Sequence, residues 1–180
     1  MRRSGAGHPL VELVLAEGTS EAVAEWVESG RVELGIVQLP ASGGSFTEHP
    51  LLTEPFVLLA SSRGGLARRR SVRLESLATE PFVFYKGRAR ETALAACRAA
   101  GFEPRVACES GELETVRALV AAGLGVALLP RLAAREPGAS CVAIRISAPR
   151  IERHLAVLTR AGHTLSPAAE VFRKLLRPGR

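Results

Sequence analysis

Residues 109–130 read ESGELETVRALVAAGLGVALLP, a strand end, a helix and a second strand with their punctuation intact. Ser110 or Gly111 is placed to cap a helix, and Glu112 and Glu114 put negative charge in its first turn, where the macrodipole favours it. Val116, Leu119 and Val120 recur at helical spacing and give one apolar stripe. Gly123 stops the helix, and the short apolar run at residues 126–129 predicts a buried strand. Pro130 falls where the first turn of a following helix would begin. A helix N-terminus just beyond the carboxyl end of a strand is where open α/β sheets bind small ligands, often anions.

Working outward, residues 11–16 (VELVLA) alternate and then run apolar, which predicts a strand. Residues 20–29 predict a helix with Ala22, Val23, Trp26 and Val27 facing inward, ended by Gly30. Residues 34–39 predict the next strand, closed by Pro40, so this part reads as two parallel strands joined by a crossover helix. The Ser- and Gly-rich residues 41–48 predict a loop, residues 56–60 (FVLLA) a strand, and residues 74–78 a short helix. A second α/β set follows: a strand at 82–85, a helix at 91–100 stopped by Gly101, and a strand at 105–108. Residues 141–146 and 155–159 predict strands. Residues 166–176 predict a helix with Ser166 as cap and Pro167 in its first turn.

Joined to GFEPRVACES just before it, the opening stretch resembles the effector-binding domain of LysR-type bacterial transcriptional regulators. The resemblance continues in order through HPLVELVLAEGTSEAVAEWVESGRVELGIV, PLLTEPFVLLASS, SLATEPFVFYKG and RHLAVLTRAGHTLSPAAEVFRKLL, covering residues 9–176. It implies an α/β, two-lobed, type II periplasmic-binding-protein-like fold with a ligand cleft between the lobes. In the family the C-terminal segment returns to the first lobe. Residues 1–72 with 146–180 are therefore expected to form the first lobe and residues 73–145 the second, with a hinge near Val72 and Ile146. The family's effector domain opens with a strand and a helix before the part matching HPLVELVL, and only residues 1–8 stand in that place here. The implied first lobe thus lacks its opening strand and helix. That leaves a slot of nearly 10 Å between the strands at 11–16 and 34–39, since paired strands lie about 4.8 Å apart.

The chain has 180 residues, 47% of them hydrophobic, which suits one ordinary domain or two small lobes. With six Phe, one Trp and one Tyr, the core must be built mainly of Val, Leu and Ala. No apolar run approaches the roughly 20 residues of a membrane helix. MRRSGAGHP has no apolar segment behind its arginines, so a cytoplasmic location is expected, with no membrane partner. The net charge is +6, carried almost entirely by scattered arginine. The one cluster, Arg63, Arg68, Arg69, Arg70 and Arg73, reads as a solvated face able to offer phosphate contacts only. Cys97, Cys108 and Cys141 form no C-x-x-C pair and read as structural thiols.

No catalytic signature emerges. Gly123-x-Gly125 closes a helix instead of opening one, no Walker loop, H-E-x-x-H or G-x-S-x-G occurs, and the four histidines stand singly. The chain is read as a non-enzyme without cofactor or metal. The sequence instead offers hydrogen-bond donors at strand ends and helix starts: Thr19 and Ser20, Gln38, then Tyr85, Gly87 and Arg88, and finally Ser110 and Gly111. Matching loops supply effector contacts in the family, which supports Thr19, Ser20, Tyr85, Gly87, Arg88 and Ser110 as ligand-binding. Lys86 and Arg88 add positive charge and favour a small anionic effector.

The leading reading is the small-molecule effector-sensing domain of a LysR-type regulator. DNA would be reached only through an N-terminal domain absent from this chain, and the intact parent would be a homo-oligomer. The alternatives are a solute-binding protein of a transporter, which shares the fold, and a non-functional truncated fragment.

Overall fold

The computed structural model describes residues 11–135 and 140–176. In chain order the elements are α1 (Ser20–Glu28), β1 (Gly35–Gln38), β2 (Phe46–Ser61), β3 (Ser71–Arg73), β4 (Pro81–Tyr85), α2 (Arg88–Ala99), β5 (Arg105–Ser110), α3 (Leu113–Ala121), β6 (Ala127–Pro130), β7 (Cys141–Ala148), β8 (Glu152–Arg160) and α4 (Pro167–Leu175). The chain forms two compact units, one of residues 1–52 with 155–180 and one of residues 53–154.

In the first unit α1 begins as its sequence dictates. Thr19 is the N-cap, and its Oγ1 accepts from the amide of Ala22 at 3.2 Å. Gly30, at φ 74°, takes the left-handed conformation that ends the helix. Ala24 and Val27 are buried against Val37 of β1 and Leu158 of β8. A Cβ on Gly35 would come within 2.7 Å of the Val23 and Val27 side chains, so the helix lies directly on the strand. β1 pairs antiparallel with β8, from Gly35 opposite Leu158 to Gln38 opposite Leu155. At the other end of this unit Ser166 caps α4, accepting from Ala169 at 3.2 Å, with Pro167 at the first turn.

The expected strand at residues 11–16 is not formed. Those residues have no regular structure, and Val14 and Leu15 are 80% and 78% exposed. The parallel crossover expected here is therefore replaced by the antiparallel β1–β8 pair, and the expected slot has no strand on its far side. An alternating pattern states only that a segment fits a half-buried pleat. It becomes a strand when a neighbouring edge takes its backbone hydrogen bonds.

In the second unit β2 is flanked by β6 and β7, both antiparallel to it, and β3 lies parallel to β7. β2 is longer than expected and starts at Phe46, inside the stretch read as a loop. Its first half, which holds no buried residue, lacks the continuous apolar signal of its mostly buried second half. β4 and β5 form a parallel pair, with α2 joining them. On the opposite side of β4, the amide of Val83 donates to the carbonyl of Val126 and that of Val126 to Pro81, each at 2.8 Å. β4 is thus covered on both edges, and Phe82, Val83 and Phe84 are buried. Pro130 is the last residue of β6 and is followed by a turn, so it closes a strand and does not open the expected helix.

Candidate functional site

Parallel register brings the carboxyl ends of β4 and β5 side by side. Tyr85 stands opposite Ser110, and the amide of Lys86 donates to the Ser110 carbonyl at 2.9 Å. Beyond Tyr85 the chain turns at Gly87, the N-cap of α2, whose φ of 104° no L side chain adopts comfortably. Arg88 is the first residue of α2. Beyond Ser110 comes Gly111, then Glu112 at the N-cap of α3. Tyr85, Gly87, Arg88, Ser110 and Gly111 are thereby brought together, with the starts of two helices beside them. The first amides of a helix lack intrahelical acceptors and carry partial positive charge, so this arrangement suits an anion.

Ser110 acts differently from the expected cap. Its Oγ accepts from the amide of Glu112 at 3.0 Å, one residue before the helix, so the hydroxyl shapes the turn that leads into α3. The cap position belongs to Glu112, whose side chain makes no capping bond. Lys86 is exposed and has no side-chain partner among the described residues.

One contact near this site was not read from the sequence. Arg90, in the first turn of α2, pairs with Glu109 of β5 at 2.6 Å and lies over the Phe84 ring, 5.7 Å from its centre. The pair ties the start of α2 to the end of β5. The only local signal was a Glu directly before Ser110, which the helix reading of residues 109–130 left unused.

Three of the expected residues come together in the first unit. The amide of Gln38, at the end of β1, donates to Ser20 Oγ at 3.1 Å, which fixes the start of α1 to the end of that strand. Gln38 is 9% exposed, and Thr19 is occupied as the α1 cap. Thr19 and Ser20 therefore follow an irregular segment and not the carboxyl end of a strand.

The same unit holds a separate cavity of about 280 Å³, whose lining includes Thr47, His49, Thr159, His163, Glu170 and Arg173. His49, one of the four histidines that stand singly in sequence, bridges Arg173 Nη1 and Thr159 Oγ1, each at 3.4 Å. A guanidinium only donates, so His49 Nδ1 accepts and its Nε2 carries the proton. Among the described residues no group of three or more His, Cys or acidic side chains is placed to hold a metal, and no helix is long and apolar enough to cross a membrane. Burial, helped by the nearby Glu103 charge, pushes the Cys97 thiol up to about 11. Burial also raises that of Cys141, against the pull of Arg117.

Residues 1–179 match the sequence pattern of the LysR substrate binding domain. The chain belongs to that family. It is 30% identical over 169 residues to the transcriptional dual regulator GltC of Bacillus subtilis, a match covering 92% of this chain and 56% of GltC. It is 31% identical over 172 residues to the HTH-type transcriptional regulator YfeR of Shigella flexneri, covering 94% of this chain and 56% of YfeR. This LysR-family chain thus spans a little over half the length of these curated relatives. Among solved structures it resembles the C-terminal domain of "a probable LysR family transcriptional regulator from Rhodococcus sp. RHA1". That likeness has a TM-score of 0.78 at 28% identity and covers 89% of this chain and 81% of the other. The fold is the periplasmic-binding-protein-like fold of LysR effector-binding domains.

Proposed function

We propose that this chain senses a small anionic effector on behalf of a LysR-type transcriptional regulator. The observation that carries the reading is the Tyr85–Ser110 register, which gathers two strand ends and the starts of α2 and α3 beside Lys86. Donated amides and an unpaired ammonium favour a carboxylate or a phosphate over a neutral ligand. A binding role is in keeping with relatives that are transcriptional regulators. In the intact regulator, effector binding would change how an attached DNA-binding domain engages its operator, and the regulator would act as a homo-oligomer in the cytoplasm.

A thermal-shift screen of carboxylates and phosphates tests this. A ligand at 100 times its dissociation constant stabilises the folded state by about 2.7 kcal/mol. Ser110→Ala is expected to lose most of that shift while costing about 1 kcal/mol of turn stability. A screen in which no anion shifts the melting of the full chain overturns the reading.

A further inference from the structure

Between Glu54 and Glu75 the chain contains no acidic residue, yet it carries Arg63, Arg68, Arg69, Arg70 and Arg73. Arg73 is held by Glu75 at 2.6 Å. The other four are exposed, and no carboxylate or acceptor reaches their guanidinium groups among the described residues. Several arginines elsewhere are used differently. Arg90, Arg98, Arg117, Arg153 and Arg173 are each paired with a glutamate.

The segment that carries the four is held in place. A short 3₁₀ turn spans Gly65–Arg68, with Gly64 donating to Ser61 at 3.1 Å, Ala67 to Gly64 at 3.1 Å and Arg69 to Leu66 at 2.9 Å. Leu66 packs against the buried cluster that contains Phe56 and Leu58, and the amide of Ser62 is bonded to the Ser140 carbonyl at 2.9 Å. The chain then enters β3, whose parallel pairing with β7 sets Ser71 opposite Arg145. Arg145 is also exposed and without a partner among the described residues. Like charges fixed on one ordered segment repel one another, and among the described residues no internal counter-ion offsets that cost.

We propose that this segment is a docking surface for the phosphate backbone of duplex DNA. Guanidinium groups bind phosphate with two parallel hydrogen bonds, the geometry for which Arg is preferred over Lys. The segment has no aromatic side chain on which unpaired bases could stack, which favours a duplex over a single strand. It also has no helix long enough to enter a groove, so its contacts are independent of sequence. Membership of a family whose relatives include HTH-type transcriptional regulators supplies the occasion, since duplex DNA is then the polyanion at hand. The surface rests on family membership and not on the effector reading.

The full chain is titrated against a fluorescent random-sequence duplex of about 20 base pairs, with anisotropy read from low to physiological salt. Each phosphate contact contributes a slope of about −0.9 to log K against log salt. Replacing all four (R63Q, R68Q, R69Q, R70Q) is expected to flatten the slope by about 3.6 and to weaken low-salt binding at least tenfold. R105Q, an exposed arginine of β5, is expected to change neither. The single variants R69Q and R70Q, each expected to lower the slope by about 1, give the same reading should the fourfold variant melt differently from the parent. Wild-type slope and affinity in the fourfold variant, no binding at the lowest salt, or tighter binding to polyglutamate than to the duplex would each overturn the proposal. The effector thermal shift is expected to survive in the fourfold variant, so the two readings fail separately.

Discussion

Glu54 and Arg153 lie 99 residues apart in sequence and form an ion pair that is almost removed from water. Arg153 Nε donates to Glu54 Oε1 at 2.6 Å, and the other carboxylate oxygen accepts from the amide of Leu132 at 2.7 Å. The Glu54 side chain is 6% exposed and that of Arg153 is 21%. The pair fastens β2 to β8 and holds the turn after β6 in the same grip. Desolvating two charges costs free energy that the pairing and the Leu132 bond only roughly offset, so the pair specifies register more than it adds stability.

Removing one partner leaves the other charge buried and unpaired. Glu54→Ala is expected to cost about 3 kcal/mol in urea unfolding, whereas the double replacement Glu54→Leu with Arg153→Met should recover most of that loss. Equal stability of Glu54→Ala and the parent chain would show that water reaches the pair freely.

Gly125 is expected to be intolerant of substitution, although its neighbour Gly123 is the residue with positive φ. A Cβ on Gly125 would meet the Pro81 carbonyl oxygen at 2.4 Å, and that oxygen already accepts from Val126. Backbone cannot give way there without breaking the β4 edge, so Gly125→Ala should cost on the order of 1–3 kcal/mol, the range for overpacking. A thermal melt matching that of the parent would mean the edge is free to shift.

Acid should loosen α4 late. Hydrogen bonding and charge from Arg173, with a smaller contribution from Lys174, hold the Glu170 carboxyl down to about 2. Its folded value lies below the usual carboxylate range, so its contribution is complete above about pH 4.5 and lost as pH falls through about 2. The stability gap between the parent and Glu170→Gln is expected to be constant from pH 7 to 5 and to close toward pH 2, and to shrink in high salt. A gap that had already closed at pH 4 would refute this pairing.

The thiols should separate by reactivity. Cys97 is fully buried in α2, with its thiol raised from 9.0 to about 11. A raised thiol disfavours the thiolate in the folded state, so stability falls as pH rises from about 9 to 11, and at pH 8 the native side chain stays protonated. A disulfide reagent at pH 8 is expected to label half-buried Cys108 first and to reach Cys97 only on unfolding. Rapid labelling of Cys97 in the native Cys108→Ser variant would contradict the packing of α2.

Much of the fold was decided by groups only a few residues apart, and these were legible. The Thr19 and Ser166 caps bond to amides three residues on, and Gly30 and Gly123 end their helices through their own φ. The apolar runs of β4 and β6 predict burial because nothing else can be done with them. The candidate site was legible to the same depth. Tyr85 and Ser110 could be read as strand ends followed by helix starts, and parallel pairing set them opposite each other.

What the sequence by itself determined, then, is where helices start and stop, which runs are buried, and which polar residues stand at element ends. Only the tertiary structure decided the partners. It left residues 11–16 without a strand, turned β1 antiparallel onto β8, and moved Pro130 from a helix start to a strand end. It also joined Arg90 to Glu109, and Glu54 to Arg153 across most of the second unit. The physical reason is the reach of the forces involved. A cap or a left-handed glycine is satisfied within one turn of chain, whereas a strand edge or a buried charge is satisfied by whichever distant backbone or side chain the rest of the fold brings to it.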